Sequence, residues 1–270
     1  MLAMRAGDVS SPQLNTFPKI NVLGVGLNAV NLDQAVGSIC QRIQDREQEY
    51  ICLAPAHSVM DCYHDPELRE IFNRSAMVVP DGMSMVWLAK LRGHGQVGRV
   101  YGPDLMLALC SASLRHGFSH YFYGGGEGVA AELAIQLQQR YPGLKVAGSL
   151  SPPFQELSTA EGEEIVRQIK TANPDVVWVG LGSGKQERWM AEHRDRLKAP
   201  VLIGVGAAFD FLSGRKLQAP RWIQRSGLEW LFRLGSEPRR LWPRYRQYPL
   251  FVVLVLTQLL GLRKYPMPQD

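Results

Sequence analysis

Short apolar runs alternate with longer amphipathic segments through most of this 270-residue chain, and that alternation restricts the fold more than any other feature. Apolar residues fill runs such as Tyr50–Leu53 and Val201–Val205 without the polar alternation of a half-exposed strand. Continuous runs of this length are typical of strands that are covered on both faces. Such strands, separated by helices, predict an α/β fold with a mainly parallel sheet, and ligands bind such sheets at the carboxyl ends of the strands.

The alternation assigns most residues between 19 and 214 to regular elements. The predicted strands are Asn21–Gly26, Tyr50–Leu53, Met77–Val79, Ser119–Tyr123, Lys145–Ala147, Val176–Gly180 and Val201–Val205. The predicted helices are Leu32–Arg46, Pro66–Arg74, Ser84–Leu91, Asp104–His116, Val129–Arg140, Ala160–Thr171 and Gln186–Leu197. The alternation stops near Phe211–Gly214, which therefore predicts a boundary between an α/β body and a helical, basic C-terminal appendage.

The two ends of the chain differ from the body in composition. Residues 1–18 are polar and contain prolines, which predicts a flexible extension, and they lack the apolar core of a signal peptide. Residues 215–270 hold 11 of the 30 basic side chains but only 3 of the 25 acidic ones, with tryptophans interleaved. The appendage therefore supplies all of the overall charge of +5. A basic segment rich in tryptophan favours contact with anionic groups at a membrane surface.

An apolar run, Leu250–Leu262, follows the basic cluster and ends at Arg263 and Lys264. It is shorter than the roughly 20 residues that a spanning helix needs. A helix lying in the membrane interface and a buried element both fit the run, and its β-branched valines also suit a strand. The sequence leaves these alternatives open.

The spacing of the cysteines and the absence of metal-binding motifs predict a site without a metal or another cofactor. The four cysteines form no CxxC pair, which predicts small core residues in a reducing, cytoplasmic compartment. The chain also contains no Asp-x-Asp, no His-Glu-x-x-His and no Cys/His cluster, so the sequence predicts no metal site and no cofactor.

Two glycine-rich turns follow predicted strands. Gly124 and Gly125 begin a turn whose continuation formally matches a dinucleotide fingerprint, but the expected acid after the next strand is missing. This turn is still suited to close approach by a nucleotide or its phosphates, because glycine admits close backbone contact. The second turn, around Gly182, delivers Lys185 and Gln186 to the start of a helix, where they either only begin the helix or hold a polar or anionic ligand.

Carboxylates after the strands allow two interpretations each. Glu187 is either a favourable acid in the first turn of a helix or a ligand contact. Asp81, in Pro80-Asp81-Gly82, is either a turn or N-cap residue or a catalytic carboxylate at the end of a strand. Asp104 is expected to cap a helix, and Asp210 is compatible with either role.

Together, the motifs resemble the WecG/TagA/CpsF glycosyltransferase family over about residues 20–250. The matching blocks are Asp65–Arg69, Val79–Gly82, Arg99–Leu105, Phe122–Gly125, Val179–Glu187, Gly204–Gly214, Arg215–Trp222, Gly227–Leu234 and Glu237–Arg240. The resemblance implies a Rossmann-like fold and inverting, metal-independent transfer of a sugar from a nucleotide donor, commonly UDP-linked. The acceptor would be a polyprenyl-pyrophosphate-linked lipid, and the enzyme would lie peripherally at the inner face of the cell membrane.

The resemblance also implies roles for individual residues. Asp81 would be the general base that deprotonates the acceptor hydroxyl, while Gln186 and Glu187 would hold donor or acceptor. Positive charge for the leaving diphosphate would come from the appendage, and the residues expected to supply it are Arg215, Arg221, Arg233, Arg239 and Arg240.

One departure from the family concerns the second predicted strand. The family often has Thr-Pro-Asn at its end, whereas this chain has Ala54-Pro55-Ala56. Because both polar side chains are absent, we expect a donor sugar other than an N-acetylhexosamine, such as a hexose or a uronic acid.

Other function classes fit parts of the sequence. A non-catalytic peripheral membrane or partner-binding protein would account for the basic appendage and for the two alanines. A nucleotide-dependent oxidoreductase is disfavoured by the missing ribose-binding acid. Nucleic-acid binding is not expected, because no recognised module accompanies the basic segment. A homo-oligomer is compatible with the sequence.

Overall fold

A computed structural model describes residues 17–153 and 158–267. The strands are β1 Lys19–Val22, β2 Val25–Asn28, β3 Glu49–Ala54, β4 Met77–Pro80, β5 Ser119–Gly124, β6 Lys145–Leu150, β7 Val176–Gly180 and β8 Val201–Gly204. The body helices are α1 Leu32–Gln44, α2 Ala56–His64, α3 Pro66–Arg74, α4 Met83–Leu91, α5 Gly102–His116, α6 Val129–Arg140, α7 Thr159–Ala172, α8 Lys185–Leu197 and α9 Ala208–Leu212. The appendage forms α10 Arg221–Arg225, α11 Glu229–Ser236, α12 Pro238–Tyr245 and α13 Tyr248–Leu259. The flexible extension predicted for residues 1–18 falls almost entirely outside the described residues.

Six strands form one sheet in the order β4-β3-β8-β7-β5-β6, and every pairing within it is parallel. Alternate side chains of each strand enter two separate cores. Cys52 and Ala54 pack on one face of the sheet, while Ile51 and Leu53 pack on the other. The sheet is therefore covered on both faces, and the α/β fold with a mainly parallel sheet and helices on both sides is confirmed.

The predicted strand Asn21–Gly26 is wrong in its form. The segment is a β-hairpin, β1 and β2, which pairs antiparallel outside the main sheet. Leu23 and Gly24 turn the chain between them with φ of 51° and 91°. Two consecutive residues with positive φ are the geometry of a two-residue hairpin turn. The apolar side chain of Leu23, which is fully buried, made the turn look like a strand interior.

Helix α2 was not predicted from the sequence. It begins immediately after Pro55, whose extended backbone occupies the N-cap position. Val59, Met60 and Cys62 are buried and anchor this helix on the core. All four cysteines are free and buried, as expected for small core residues.

The apolar run of the appendage is helical, despite its valines. Phe251, Leu254 and Val255 lie at i, i+3 and i+4 on α13 and pack into the core that also contains Val59 and Met60. The opposite face of α13 remains exposed. Tertiary packing of one stripe therefore overrides the weak β preference of the sequence. Among the residues that the structure describes, no helix combines the length and apolarity needed to span a membrane.

Hydrogen bonds attach α13 to the N-terminal hairpin. The side chain of Gln258 accepts from the backbone N–H of Leu23 at 3.1 Å and donates to the carbonyl of Asn21 at 3.2 Å. The side-chain amide of Asn21 in turn donates to the carbonyl of Tyr265 at 2.6 Å. Both ends of the described chain thus meet on one side of the sheet.

Candidate active site

A cleft of about 820 Å³ opens at the carboxyl ends of β3, β4, β5, β7 and β8, and residues of the appendage form part of its wall. The residues predicted from the sequence that line the cleft are Asp81, Gly125, Gly182, Lys185, Gln186, Asp210, Arg215, Arg233 and Arg240. The predicted residues that lie off its lining are Gly124, Glu187, Arg221 and Arg239. The fold therefore brings side chains that lie more than 150 positions apart in the sequence to one edge of the sheet, where the carboxyl ends of parallel strands meet.

Asp81 follows β4 directly and lies at the edge of the cleft. Gly82, not Asp81, occupies the N-cap position of α4, and no side chain caps that helix. The Oδ1 atom of Asp81 is fully buried and has no hydrogen-bond partner among the described residues. Burial is the main cause that raises the pKa of Asp81 from 3.8 to about 7; Arg99 opposes the shift and Glu229 adds to it. A carboxyl group of this kind is a candidate proton acceptor near neutral pH.

An ion pair beside Asp81 joins the body to the appendage. Arg99 donates to Glu229 of α11 at 2.5 Å, and both side chains are largely buried. The Nε of Arg99 also donates to the backbone carbonyl of Asp81 at 3.3 Å, and its guanidinium lies 4.0 Å from the ring centroid of Tyr101. This ion pair connects residues 130 positions apart. The pair therefore fixes the appendage against the candidate base.

Gln186 and Glu187 take different places at the start of α8: Glu187 interacts with the first turn of the helix, and Gln186 lines the cleft. Glu187 is buried, and its carboxylate accepts from the backbone N–H of Gly184 at 2.6 Å and from Nε2 of Gln186 at 2.9 Å. Burial raises the pKa of Glu187 to about 7. Gln186 stands in front of it in the cleft wall, with Oε1 buried and without a hydrogen-bond partner. Glu187 thus orients Gln186, whose Oε1 remains unpartnered among the described residues.

Most cations of the appendage at the cleft already have carboxylate partners. Their ion pairs are Arg215 with Glu132 at 2.6 Å, Lys216 with Asp210 at 2.8 Å and with Glu237 at 3.2 Å, and Arg240 with Glu237 at 2.5 Å. Arg221 forms an exposed pair with Asp104 at 2.8 Å, away from the cleft lining. Asp104 therefore lies in the first turn of α5 as a partner of Arg221, and Tyr101 occupies the N-cap position where Asp104 was expected.

Arg233 and Arg244 line the cleft and form no ion pair with a described residue. Arg233 lies over the ring of Phe211, 5.5 Å from the centroid, as a cation–π pair. Together with Lys185, which also lines the cleft, these two guanidinium groups are the cleft cations that form no ion pair with a described residue. Arg244 is one of the 11 basic residues of the appendage. It was not predicted as a site residue, because no local sequence pattern distinguishes it from its neighbours.

His57 is a cleft residue that the sequence did not single out. It lies on the first turn of α2, and its Nδ1 is buried without a hydrogen-bond partner in the part of the chain that the structure describes. Burial, together with the nearby charges of Arg244 and Arg233, holds the pKa of His57 well below its usual range. The imidazole is therefore neutral at pH 7 and can both donate and accept. The prediction missed His57 because it missed α2 itself.

The two alanines that depart from the family pattern lie beside this histidine. Ala54 and Ala56 are buried, and Pro55 between them lines the cleft. Ser58 also lines it and exchanges a hydrogen bond of 3.0 Å with Ser183. Polar groups on this part of the cleft are thus supplied by His57 and Ser58.

Gly124 serves the packing of the strands beneath the cleft. Its φ is 132°, and a Cβ on Gly124 would lie 2.5 Å from the carbonyl carbon of Gly180. Gly182 also has a positive φ, 86°, but nothing lies within 4 Å of a Cβ placed there. Gly124 therefore permits the close approach of β5 to β7, while Gly182 borders open space in the cleft.

The described residues contain no group of three or more His, Cys, Asp or Glu side chains arranged to hold a metal ion. The carboxylates that line the cleft are Asp81 and Asp210, and the latter is paired with Lys216. Positive charge in the described cleft is carried by lysine and arginine side chains.

Known proteins resemble this chain along most of its length. The profile of the glycosyl transferase WecG/TagA/CpsF family matches residues 20–265. A Bacillus subtilis (strain 168) protein named N-acetylglucosaminyldiphosphoundecaprenol N-acetyl-beta-D-mannosaminyltransferase is 29% identical over 206 residues, which cover 76% of this chain and 78% of that protein. A Staphylococcus aureus (strain MW2) protein of the same name is 25% identical over 249 residues, which cover 91% of this chain and 95% of that protein. The matched range includes both the cleft and the appendage that walls it.

Proposed function

The chain belongs to the WecG/TagA/CpsF family of glycosyltransferases, and we propose that it transfers a sugar from a UDP-linked nucleotide-sugar donor to a lipid-pyrophosphate-linked acceptor. The observation that carries the proposal is Asp81, a carboxyl group with a raised pKa in a cleft that also holds two unpaired arginines. The relatives named above transfer N-acetylmannosamine to a lipid diphosphate, according to their names.

Asp81 supplies the base for a single displacement. The acceptor hydroxyl oxygen bonds to the anomeric carbon while the bond from that carbon to the diphosphate oxygen breaks. The hydroxyl proton passes to Asp81, and the nucleoside diphosphate leaves. A pKa of about 7 suits this step, because the group is substantially ionised at neutral pH yet binds a proton far more readily than an ordinary aspartate. Attack from the face opposite the leaving group inverts the anomeric centre.

Arg233 and Arg244 supply charge for the leaving diphosphate. Guanidinium groups form short, bidentate hydrogen bonds with phosphate oxygens, and these strengthen as negative charge develops on the leaving group. We assign this role to Arg233 and Arg244 ahead of Arg215 and Arg240, because the latter two already bind carboxylates. Charge stabilisation by arginine is the basis on which we propose a metal-independent reaction.

The appendage also supports the proposal of a membrane-bound acceptor. The outer face of α13 exposes apolar side chains, and Arg263 and Lys264 follow it. An exposed apolar face next to cations favours binding in the interface of an anionic bilayer. We therefore propose a peripheral position at the inner face of the cell membrane.

The donor sugar remains a prediction from Ala54 and Ala56. Neither residue presents a polar side chain, and His57 and Ser58 provide the polar groups on that wall. We accordingly propose a donor without an N-acetyl group, such as a hexose or uronic acid nucleotide. Turnover with N-acetylhexosamine nucleotides alone would contradict this assignment.

The test of the function is a transfer assay with the full chain. A panel of nucleotide sugars is incubated with lipid-pyrophosphate acceptors that carry one sugar, and products are identified by mass spectrometry. We expect one donor class to be transferred by the wild-type protein and none by the Asp81→Asn variant. Absence of transfer with every donor, or full activity of the variant, would refute the proposal.

A further inference from the structure

Helix α4 of the body exposes a patch that the proposed reaction does not use. The α4 patch consists of Trp87, Lys90, Leu91 and Arg92. Trp87 and Leu91 lie one turn apart on the same face of the helix and are 48% and 76% exposed. Residues 82–103 contain no Asp or Glu, so no acidic side chain of this segment offsets the two cations.

We propose that the α4 patch docks on an anionic lipid bilayer, so that the body of the protein, and not only its appendage, rests on the membrane. Tryptophan and leucine beside lysine and arginine is the composition of an interfacial helix face, in which apolar groups enter the headgroup boundary and cations meet anionic lipid. Charge complementarity is what favours a lipid surface here over a neutral protein partner.

The position of α4 next to the appendage supports one continuous docking surface. Met85 and Leu88 of α4 pack in the same core as Phe251 and Leu254 of α13, so both helices cover the same face of the sheet. A Cβ on Gly227 would lie only 2.5 Å from Cη2 of Trp87, which shows that α4 touches the segment leading into α11.

Contacts continue from α11 to α13. The rings of Trp230 and Tyr248 meet edge to face with centroids 5.4 Å apart. Leu228 and Leu231 are exposed on the α11 segment between the two helices. Exposed apolar groups therefore extend from α4 through α11 to the outer face of α13.

The geometry of α4 gives this surface a purpose. Asp81 lies two residues before Met83, where α4 begins, and the α4 patch lies at the C-terminal end of the helix and its C-cap. At 1.5 Å per residue, α4 rises about 12 Å from Met83 to Leu91. A docked α4 patch therefore keeps Asp81 within about one helix length of the headgroups, where a sugar carried on a lipid pyrophosphate projects. This purpose rests on the proposed function, whereas the membrane contact itself does not.

The experiment uses the full chain and sedimentation with vesicles of phosphatidylglycerol and phosphatidylcholine in equal parts. We expect Leu91→Asp to weaken binding at least about tenfold, since it replaces an inserted apolar group by a repelled charge. The matched control is Ile135→Asp, whose side chain is 53% exposed on α6, a helix that covers the opposite face of the sheet, and we expect it to bind like the wild type. Lys90→Glu is expected to weaken binding most at low salt.

Several results would overturn the proposal. The first is that Leu91→Asp binds the vesicles as tightly as the wild-type protein does. A second is a Leu91→Asp variant that binds vesicles like the wild type but is a monomer in light scattering where the wild type is a dimer. That result would assign the patch to self-association. Turnover of Leu91→Asp on a water-soluble acceptor analogue should equal that of the wild type and fall only on vesicle-bound acceptor. If the wild-type protein transfers sugar to neither acceptor, the proposed function fails, while the vesicle measurement still decides the membrane contact.

Discussion

Replacing Asp81 by asparagine should stabilise the protein and inactivate it at the same time. Asp81 is a partly exposed residue whose Oδ1 is buried without a partner, and burial raises its pKa from 3.8 to about 7. The folded protein therefore holds the proton up to about pH 7, whereas the unfolded chain releases it near 3.8. Stability contributed by this group is thus lost as the pH rises between those values, and the loss is complete above the folded pKa.

The size of the effect follows from the shift. About three pKa units at 1.36 kcal/mol each set a ceiling of about 4 kcal/mol on the penalty for ionised Asp81. Asparagine has no charge to desolvate, so Asp81→Asn should gain stability relative to the wild type. The gain should be about 2 to 3 kcal/mol larger at about pH 8 than at about pH 5. Each kcal/mol corresponds to roughly 2–4 °C in Tm for a chain of this size.

Activity should respond in the opposite direction. A positioned general base contributes about 10²–10⁴-fold to rate, so Asp81→Asn should lower kcat/KM by at least about a hundredfold. The wild-type rate should fall about tenfold per pH unit below about pH 7, where Asp81 becomes protonated. The variant should lack this limb, because its amide does not titrate.

Thermal unfolding at the two pH values and the pH–rate profile are the assays that check both parts. The control is Asp210→Asn, which removes a paired carboxylate of the same cleft and should lower stability at neutral pH. A less stable Asp81→Asn variant at about pH 8 would refute the burial argument. A retained acid limb in its residual activity would refute the role of Asp81 as the base.

Three further outcomes are expected. Arg233→Gln and Arg244→Gln should each lower kcat/KM for the donor by about 10–100-fold, because each removes a charged hydrogen bond to the diphosphate. Arg239 is exposed and does not line the cleft, so Arg239→Gln should change kcat/KM less than about threefold. Equal losses for the three variants in steady-state kinetics would contradict this ranking. Gly124→Ala should lower the free energy of unfolding by about 2–4 kcal/mol in urea melts, because its Cβ would overlap with Gly180 and its positive φ would strain the backbone. Gly182→Ala has the backbone strain without the overlap and should cost only about 1 kcal/mol, so the reverse order would refute the packing argument. EDTA should leave the transfer rate unchanged, and a loss restored by Mg²⁺ or Mn²⁺ would disprove the metal-independent proposal.

Strongly periodic segments were predictable residue for residue. Val176–Gly180, Pro66–Arg74 and Val129–Arg140 agree with the structure because each has an uninterrupted pattern that burial alone imposes. The hairpin at Leu23 and the helix after Pro55 were not, since a buried apolar turn residue mimics a strand and a short helix of mixed composition shows no clear period.

Part of the cleft was also predictable, because parallel strands bring their carboxyl ends to one edge whatever their order. Asp81, Gln186 and Gly125 follow strand ends in the sequence, and all three line the cleft. Which of them has free polar atoms could not be predicted. Glu187 and Gln186 are adjacent in sequence, yet the Glu187 carboxylate accepts from the backbone at the helix start, whereas Oε1 of Gln186 has no hydrogen-bond partner among the described residues.

The sequence by itself determined the α/β body, the basic appendage and the family resemblance, because composition and periodicity are properties of neighbouring residues. Only the tertiary structure decided which cations remain available and how basic Asp81 is. Arg240 is neutralised by Glu237 while Arg244 forms no ion pair with a described residue, and Glu229 reaches Arg99 across 130 positions. Pairing and desolvation depend on groups that folding alone brings together, and electrostatic free energy varies with distance in space rather than along the chain.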